Sequence, residues 1–405
     1  MVSSLFISKL LRMRYWLPTL KGVAICFSIA VSAHAQGERD TSRHERPFVS
    51  GGVYDKPFVT RLLGKTALGG YMEAVWKFTR VGGVTEEVTF EARRFNLFTF
   101  SRISERVRFF AELEFEHGTE EINVEVAALD FEIHPSLIFR AGVILSPLGK
   151  FNLTHDSPLN ELTDRPLVST QIIPTALSEA GMGFYGSFFP SAVSRFTYEL
   201  YGVNGFNDGI VLAGSGTRIR EGRGDVGEDN NPAPSFAGRI SYSPVEVFEA
   251  GISGHTGPYN RYKVDDFFVD ERRNLTILAF DWEYGGESFD VLGEYAHARI
   301  NIPPSLRGLY ARRQQGLYVE TNVRFGSGML EFLPLSEFTA IGRYEFVDFD
   351  SEIAGDARQR LSVGVNFRPT RDTVFKLDYH FDWEWNRVNV AEKAAGINFS
   401  AATYF

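Results

Sequence analysis

From Ser146 to Glu179, Lys150, His155, Asp156, Glu161, Asp164 and Arg165 crowd into one stretch of this 405-residue chain. Pro147, Pro158, Pro166 and Pro174 fix φ at four points of the same stretch, so its path is irregular but defined. Acids and bases mixed at no regular spacing match no hydrolytic triad or metal-ligand pattern. They suit a charged constriction, where side chains at the narrowest point of a passage sort small polar or ionic solutes. The alternative is an outer loop packed over a rim. The histidines are scattered, with no H-E-x-x-H or other ligand spacing, so neither a metal nor a cofactor is implied. His380, between Asp378 and Asp382, is the only hydrolase-like grouping, and a spacing of two merely restates strand alternation. No catalytic residue is assigned, and the chain reads as a non-enzyme. Arg223-Gly224-Asp225 spells an integrin-type tripeptide, which arises readily by chance in a Gly- and charge-rich loop.

The elements that must hold such a stretch have a period of two. From residue 65 to 405, apolar and polar residues alternate in blocks of about ten, the length a tilted strand needs to cross a bilayer. Val107, Phe109, Ala111, Leu113 and Phe115 interleave with Arg108, Glu112, Glu114 and Glu116. Phe375, Leu377, Tyr379, Phe381 and Trp383 interleave with Lys376, Asp378, His380, Asp382 and Glu384. A soluble sandwich also alternates, but the full set of charges on one face and the long strands favour an all-β transmembrane antiparallel barrel.

About sixteen strands are predicted, beginning near residues 66, 92, 106, 122, 137, 180, 194, 235, 247, 273, 287, 315, 337, 359, 373 and 395. An even count places both termini on one side. Connections after even strands are then mostly short, as at His134-Pro135-Ser136, whereas many after odd strands are long: 146 to 179, 205 to 234 and 257 to 272. Two places break the pattern. The connection 326 to 336 is long and apolar although it follows an even strand, and Glu125 and Asp130 fall on opposite faces of one strand unless a bulge intervenes.

On the inward face, Arg106, Arg108, Arg140, Arg195, Arg324 and Arg368 form a candidate basic cluster in the half of the lumen nearer the termini. They would guide anions or pair with carboxylates such as Glu112, Glu199 and Glu320. Asp156, Glu161 and Asp164 at the constriction tip the expected preference weakly towards cations. Aromatic residues fall into two interfacial girdles, among them Trp76 and Trp383 at one rim and Trp282 and Phe367 at the other. The terminal Phe405 closes an alternating segment in the manner of the signal read by the outer-membrane assembly machinery.

Residues 1–35 contain Lys9, Arg12, Arg14 and Lys21, no acid, an apolar run from Val23 to Ala33, and Ala33-His34-Ala35, which together read as a signal peptide and cleavage site. Residues 36–64 read as a periplasmic extension. Cys26, the only cysteine, leaves with the signal, so no disulfide is expected. The 42 basic residues less those four leave 38 against 51 acids, a mature charge of −13 that disfavours nucleic acid as a partner.

Ala128-Leu129-Asp130-Phe131, Pro135-Ser136-Leu137, Arg140-Ala141-Gly142 and Ser146-Pro147-Leu148-Gly149 resemble the phosphate-selective porin O and P family, in which a similar strand leads into the third outer loop. The resemblance implies a sixteen-stranded, homotrimeric porin, integral to the outer membrane of a Gram-negative bacterium, whose third loop enters the lumen. Its surroundings would be outer-membrane lipid and lipopolysaccharide. The rival expectations are a non-conducting barrel acting as adhesin or anchor, and a barrel hydrolase.

Overall fold

The computed structural model describes residues 60–62, 66–212, 216–224 and 226–405. The expected signal peptide, most of the expected 36–64 extension and Asp225 lie outside them. Sixteen long strands form the wall of one antiparallel sheet, to which the three residues Thr60–Leu62 add a short strand paired with the first: β1 Thr66–Val81, β2 Val84–Arg102, β3 Val107–Glu116, β4 Glu121–His134, β5 Leu137–Leu145, β6 Ser178–Ser191, β7 Ser194–Val203, β8 Ser235–Val245, β9 Phe248–Pro258, β10 Asn274–Gly285, β11 Phe289–Ile300, β12 Arg313–Phe325, β13 Glu337–Asp348, β14 Ala357–Arg368, β15 Thr373–Trp385 and β16 Ala391–Tyr404. Each pairs with its sequence neighbour, and β16 pairs with β1, with Phe399 opposite Trp76 and Tyr404 opposite Tyr71. The sheet closes on itself, which leaves no unpaired edge.

Alternation decides which side chains line the inside. Glu112 and Glu114 are buried in the interior, whereas Leu113 between them points out and is exposed. Lys376, Asp378, His380 and Asp382 are buried in the same way, with Phe375, Leu377 and Tyr379 exposed outside. An apolar outer wall around a charged interior is the arrangement of a transmembrane barrel.

Among the irregularities of register in the wall, two bulges bring extra charges inside. Glu112 lies opposite Val126 and Leu113 opposite Val124, so Glu125 is the extra residue, and Glu125 and Asp130 both reach the interior. Glu73 faces Arg94 while Ala74 faces Ala92, which leaves Arg93 as the extra residue and turns two adjacent arginines inward.

Strand two begins at Val84, well before the expected 92, because Val88 and Phe90 continue the apolar outward face and the pairing resumes past a register shift at Glu86; it meets β1 through Gly82 and Gly83 alone. Both glycines have positive φ, +57° and +87°, as a tight hairpin turn requires. The first two connections after odd strands are therefore short, and the long ones begin with the third. The last strand also starts earlier than expected, at Ala391.

Candidate functional site

The connection between β5 and β6, residues 146–177, runs inside the barrel, and its base is closed by the Ser146 N–H donating to the Leu177 carbonyl at 2.9 Å and by one side chain. Asn152, fully buried, donates Nδ2 to the carbonyls of Ser146 (2.8 Å) and Leu177 (3.2 Å) and accepts the Leu177 N–H at 2.8 Å. Two glycines of the sequence motif have a local reason. Gly142 has φ +132° and a Cβ there would strike the Ala127 carbonyl; Gly149 has φ +70° and a Cβ there would strike the Glu294 carboxylate.

Beyond its base, the segment's backbone is held by carboxylates and cations of the wall. The Leu167 N–H, at the start of the five-residue helix α1 Leu167–Gln171, donates to Glu345 at 2.7 Å. The Phe151 N–H donates to Glu294 at 3.2 Å, and Thr163 donates both N–H and hydroxyl to Asp378. Lys376 donates to the Ser157 carbonyl at 2.8 Å and Arg343 to the Asp164 carbonyl at 2.6 Å. Buried backbone groups need such partners. An apolar cluster completes the seat: Leu148, Val168, Ile172 and Ile173 pack against Ile277, Ala296, Tyr318 and Val347 of the wall and against Phe206 and Ile219 of the β7–β8 connection. This explains why the inward face of β10 around Ile277 is apolar.

The expected constriction residues separate into two groups. His155 and Asp156 are buried, His155 against Glu125 at 2.7 Å and Asp156 accepting the Tyr404 hydroxyl at 2.9 Å. Lys150 reaches Glu283 at 2.8 Å, Glu161 pairs with Arg368 at 3.0 Å, and Arg165 lies 3.9 Å from Glu114. These side chains anchor the segment to the wall. Asp164 differs: its side chain is 30% exposed and lies between Arg93 at 3.4 Å and Arg360 at 3.5 Å.

Asp164 lines a cavity of about 230 Å³ whose other charged walls are Lys77, Glu87, Arg358, Arg360, His380, Asp382, Glu384 and Glu392. Five carboxylates there face Lys77 and two arginines.

The arginines expected to cluster are dispersed in pairs. Arg106 is not in the lumen: it sits exposed in the turn before β3, because that strand starts one residue later. Arg108 pairs with Glu132 at 3.3 Å, Arg195 with Glu249 at 3.2 Å and Arg324 with Asp290. Arg140 forms a two-pronged bond to Asp130, at 2.8 and 2.9 Å, and its guanidinium lies over the Tyr185 ring. Of the carboxylates expected as partners, Glu112 accepts from Asn96, Glu199 from the Tyr201 hydroxyl, and Glu320 from Arg343.

Sequence reasoning missed Arg93 and Arg94, although two adjacent charges in an alternating strand signal a bulge. It also missed a meeting of two loops. Arg165 and Arg220 donate to the Thr175 carbonyl and Arg223 to the Ala176 carbonyl, at 3.4, 3.0 and 3.0 Å. Burial, with the charges of Arg223 and Arg165, pushes the Arg220 guanidinium down to about 10. The arginine of the integrin-type tripeptide is thus turned towards the inner segment.

No family model matches the chain. An uncharacterized protein of Aquifex aeolicus (strain VF5) is 26% identical over 320 residues, 71% of this chain and 70% of that one. Among solved structures, the anion-selective porin of Comamonas acidovorans aligns with a TM-score of 0.53 at 9% identity, covering 84% of this chain and 99% of its own. The outer membrane channel DcaP of Acinetobacter baumannii gives 0.54 at 10%, covering 85% and 99%, and OprB of Pseudomonas putida gives 0.54 at 7%, covering 84% and 94%. At these identities the likeness is one of fold.

Proposed function

We propose that this chain is an outer-membrane porin through which small polar or ionic solutes diffuse passively. The observation that supports it is the 146–177 segment held inside a closed barrel by wall side chains, with a charged, water-accessible cavity beside it. A narrowed polar route bordered by charges of both signs is what a selective diffusion pore needs. Removal of residues 1–35, insertion among lipopolysaccharide and phospholipid, recognition of Phe405 by the assembly machinery and assembly as a homotrimer belong to the same reading.

The excess of carboxylates around the cavity makes the pore weakly cation-preferring, since charges at a narrow point act within a screening length of about 8 Å. Conductance in a planar bilayer tests the channel, and the reversal potential under a potassium chloride gradient tests its preference. A barrel that inserts but passes no current is an anchor or adhesin instead. One observation favours a second reading, passage of phosphate as in the phosphate-selective porin family: Arg165, Arg220 and Arg223 converge where the two inner segments meet. A chloride-directed reversal potential, with current blocked by millimolar phosphate, would establish that reading over the first.

A further inference from the structure

Six of the seven connections on the side of the barrel that bears the termini are two to four residues long; the exception runs from Gly326 to Ser336, between β12 and β13. Its sequence, Gly-Ser-Gly-Met-Leu-Glu-Phe-Leu-Pro-Leu-Ser, holds five large apolar side chains and one charge. Met329, Phe332 and Leu335 are 68%, 78% and 58% exposed.

The segment is nevertheless folded. Met329 N–H donates to Gly326 O at 3.1 Å, Leu333 N–H to Leu330 O at 2.8 Å, Ser336 N–H to Leu333 O at 2.9 Å and Gly328 N–H to Ser336 O at 3.0 Å. Successive turns joined in this way hold the apolar side chains out by design of the backbone.

The side of the wall it occupies follows from its neighbours. A Cβ on Gly326 would lie 3.2 Å from Phe338 Cδ2 and 3.5 Å from Met329 Cε, so the thioether and the Phe338 ring flank the same point. Phe338 belongs to the outward face, since Thr339, Ile341 and Arg343 of β13 point in. Its ring is one step in a row of outward rings along this rim, with centroids 5.7 Å apart from Phe325 to Phe338, 5.0 Å from Phe338 to Phe367 and 6.4 Å from Phe367 to Phe375. The apolar connection therefore prolongs the outer apolar surface beyond the last turn of β12 and β13.

We propose that residues 326–336 form a membrane wedge that lies in the phospholipid leaflet nearer the termini and anchors this sector of the barrel at the depth of the aromatic row. The proposal rests on the outer-membrane reading above. Phospholipid is the favoured occupant because the apolar surface is continuous with the lipid-facing wall, whereas a docking site for a soluble partner would stand apart from it.

The test uses nitroxide labels on single cysteines in the full chain carrying Cys26→Ala, reconstituted in phospholipid vesicles. Phe332→Cys and Met329→Cys report on the wedge, Val365→Cys on the lipid-facing wall, and Glu246→Cys on the short β8–β9 turn. The expected result is that labels at 332 and 329 collide with oxygen several-fold more than with a water-soluble nickel chelate, as at 365, with the reverse at 246. Labels at 332 and 329 that follow 246 while 365 stays in lipid overturn the wedge alone. A nickel-accessible 365 overturns the barrel's membrane reading instead. Spectral broadening at 332 that disappears on dilution with unlabelled chain makes a second copy the occupant and also overturns the wedge.

Discussion

Asp156 and Asp164 are eight positions apart and alike in chemistry, yet the fold gives them opposite tasks. Asp156 is 2% exposed and accepts the Tyr404 hydroxyl, whereas Asp164 meets the cavity beside Arg360. Asp156→Asn is therefore expected to leave the reversal potential unchanged and to destabilise the barrel by about 1–3 kcal/mol, the range for disturbing a buried hydrogen-bonded group. Asp164→Asn is expected to reduce the cation preference measurably, because its partly exposed carboxylate borders the cavity. Reversal potentials and urea unfolding of both variants check the pair; equal shifts in selectivity would contradict the assignment. The Arg140–Asp130 pair, closed in by Tyr185, gives a third case. Arg140→Ala leaves a buried carboxylate with its main partner gone, and about 3–5 kcal/mol of destabilisation is expected in the same urea experiment.

Among the elements, the 146–177 segment is the one whose behaviour depends on a few bonds. Asn152 closes its base with three hydrogen bonds, so Asn152→Ala should loosen the segment without disturbing the strands. The expected outcome is a noisier, larger single-channel conductance with unchanged strand content; a quiet current of parental size would show that the wall bonds suffice. The outer face of the strands obeys a different rule. Leu113→Arg, on the outward face of β3, is expected to cost roughly 2–4 kcal/mol if the site lies near the bilayer midplane. Alternation identified that face correctly, but it did not reveal how closely the inside is packed. Ser362 points inward, opposite Arg343 on one side and His380 on the other, and is 4% exposed. Inward here does not mean wet.

For the whole molecule, closure between β16 and β1 is the decisive event, and Phe405 takes part in it. Its N–H and carbonyl exchange hydrogen bonds of 3.0 and 3.1 Å with Gly70, and its ring stacks on Phe95 at 5.7 Å. Deleting Phe405 is expected to lower the yield of heat-modifiable barrel in the outer membrane more strongly than refolding in detergent. Equal losses in the two settings would assign the effect to closure alone and leave the assembly machinery without a role.

The sequence by itself determined the period-two wall, the even strand number and the unequal connections at the two ends, and it raised the clash of phase between Glu125 and Asp130 that a bulge resolves. These follow from local physics, since a strand's faces and a turn's length are set by residues close in the chain. The tertiary structure alone decided which charges meet. Lys376 and Ser157 or Asp378 and Thr163 are some 219 and 215 positions apart, and no local pattern records such a pairing. An inward-facing carboxylate is therefore not by that fact a pore-facing one. Glu294, Glu345 and Asp378 accept backbone N–H groups of the inner segment, whereas the charges around the cavity are placed to face a passing ion. Whether an acid is an anchor or a filter depends on what folds back against it, and that is set by the closed barrel, not by its strands one at a time.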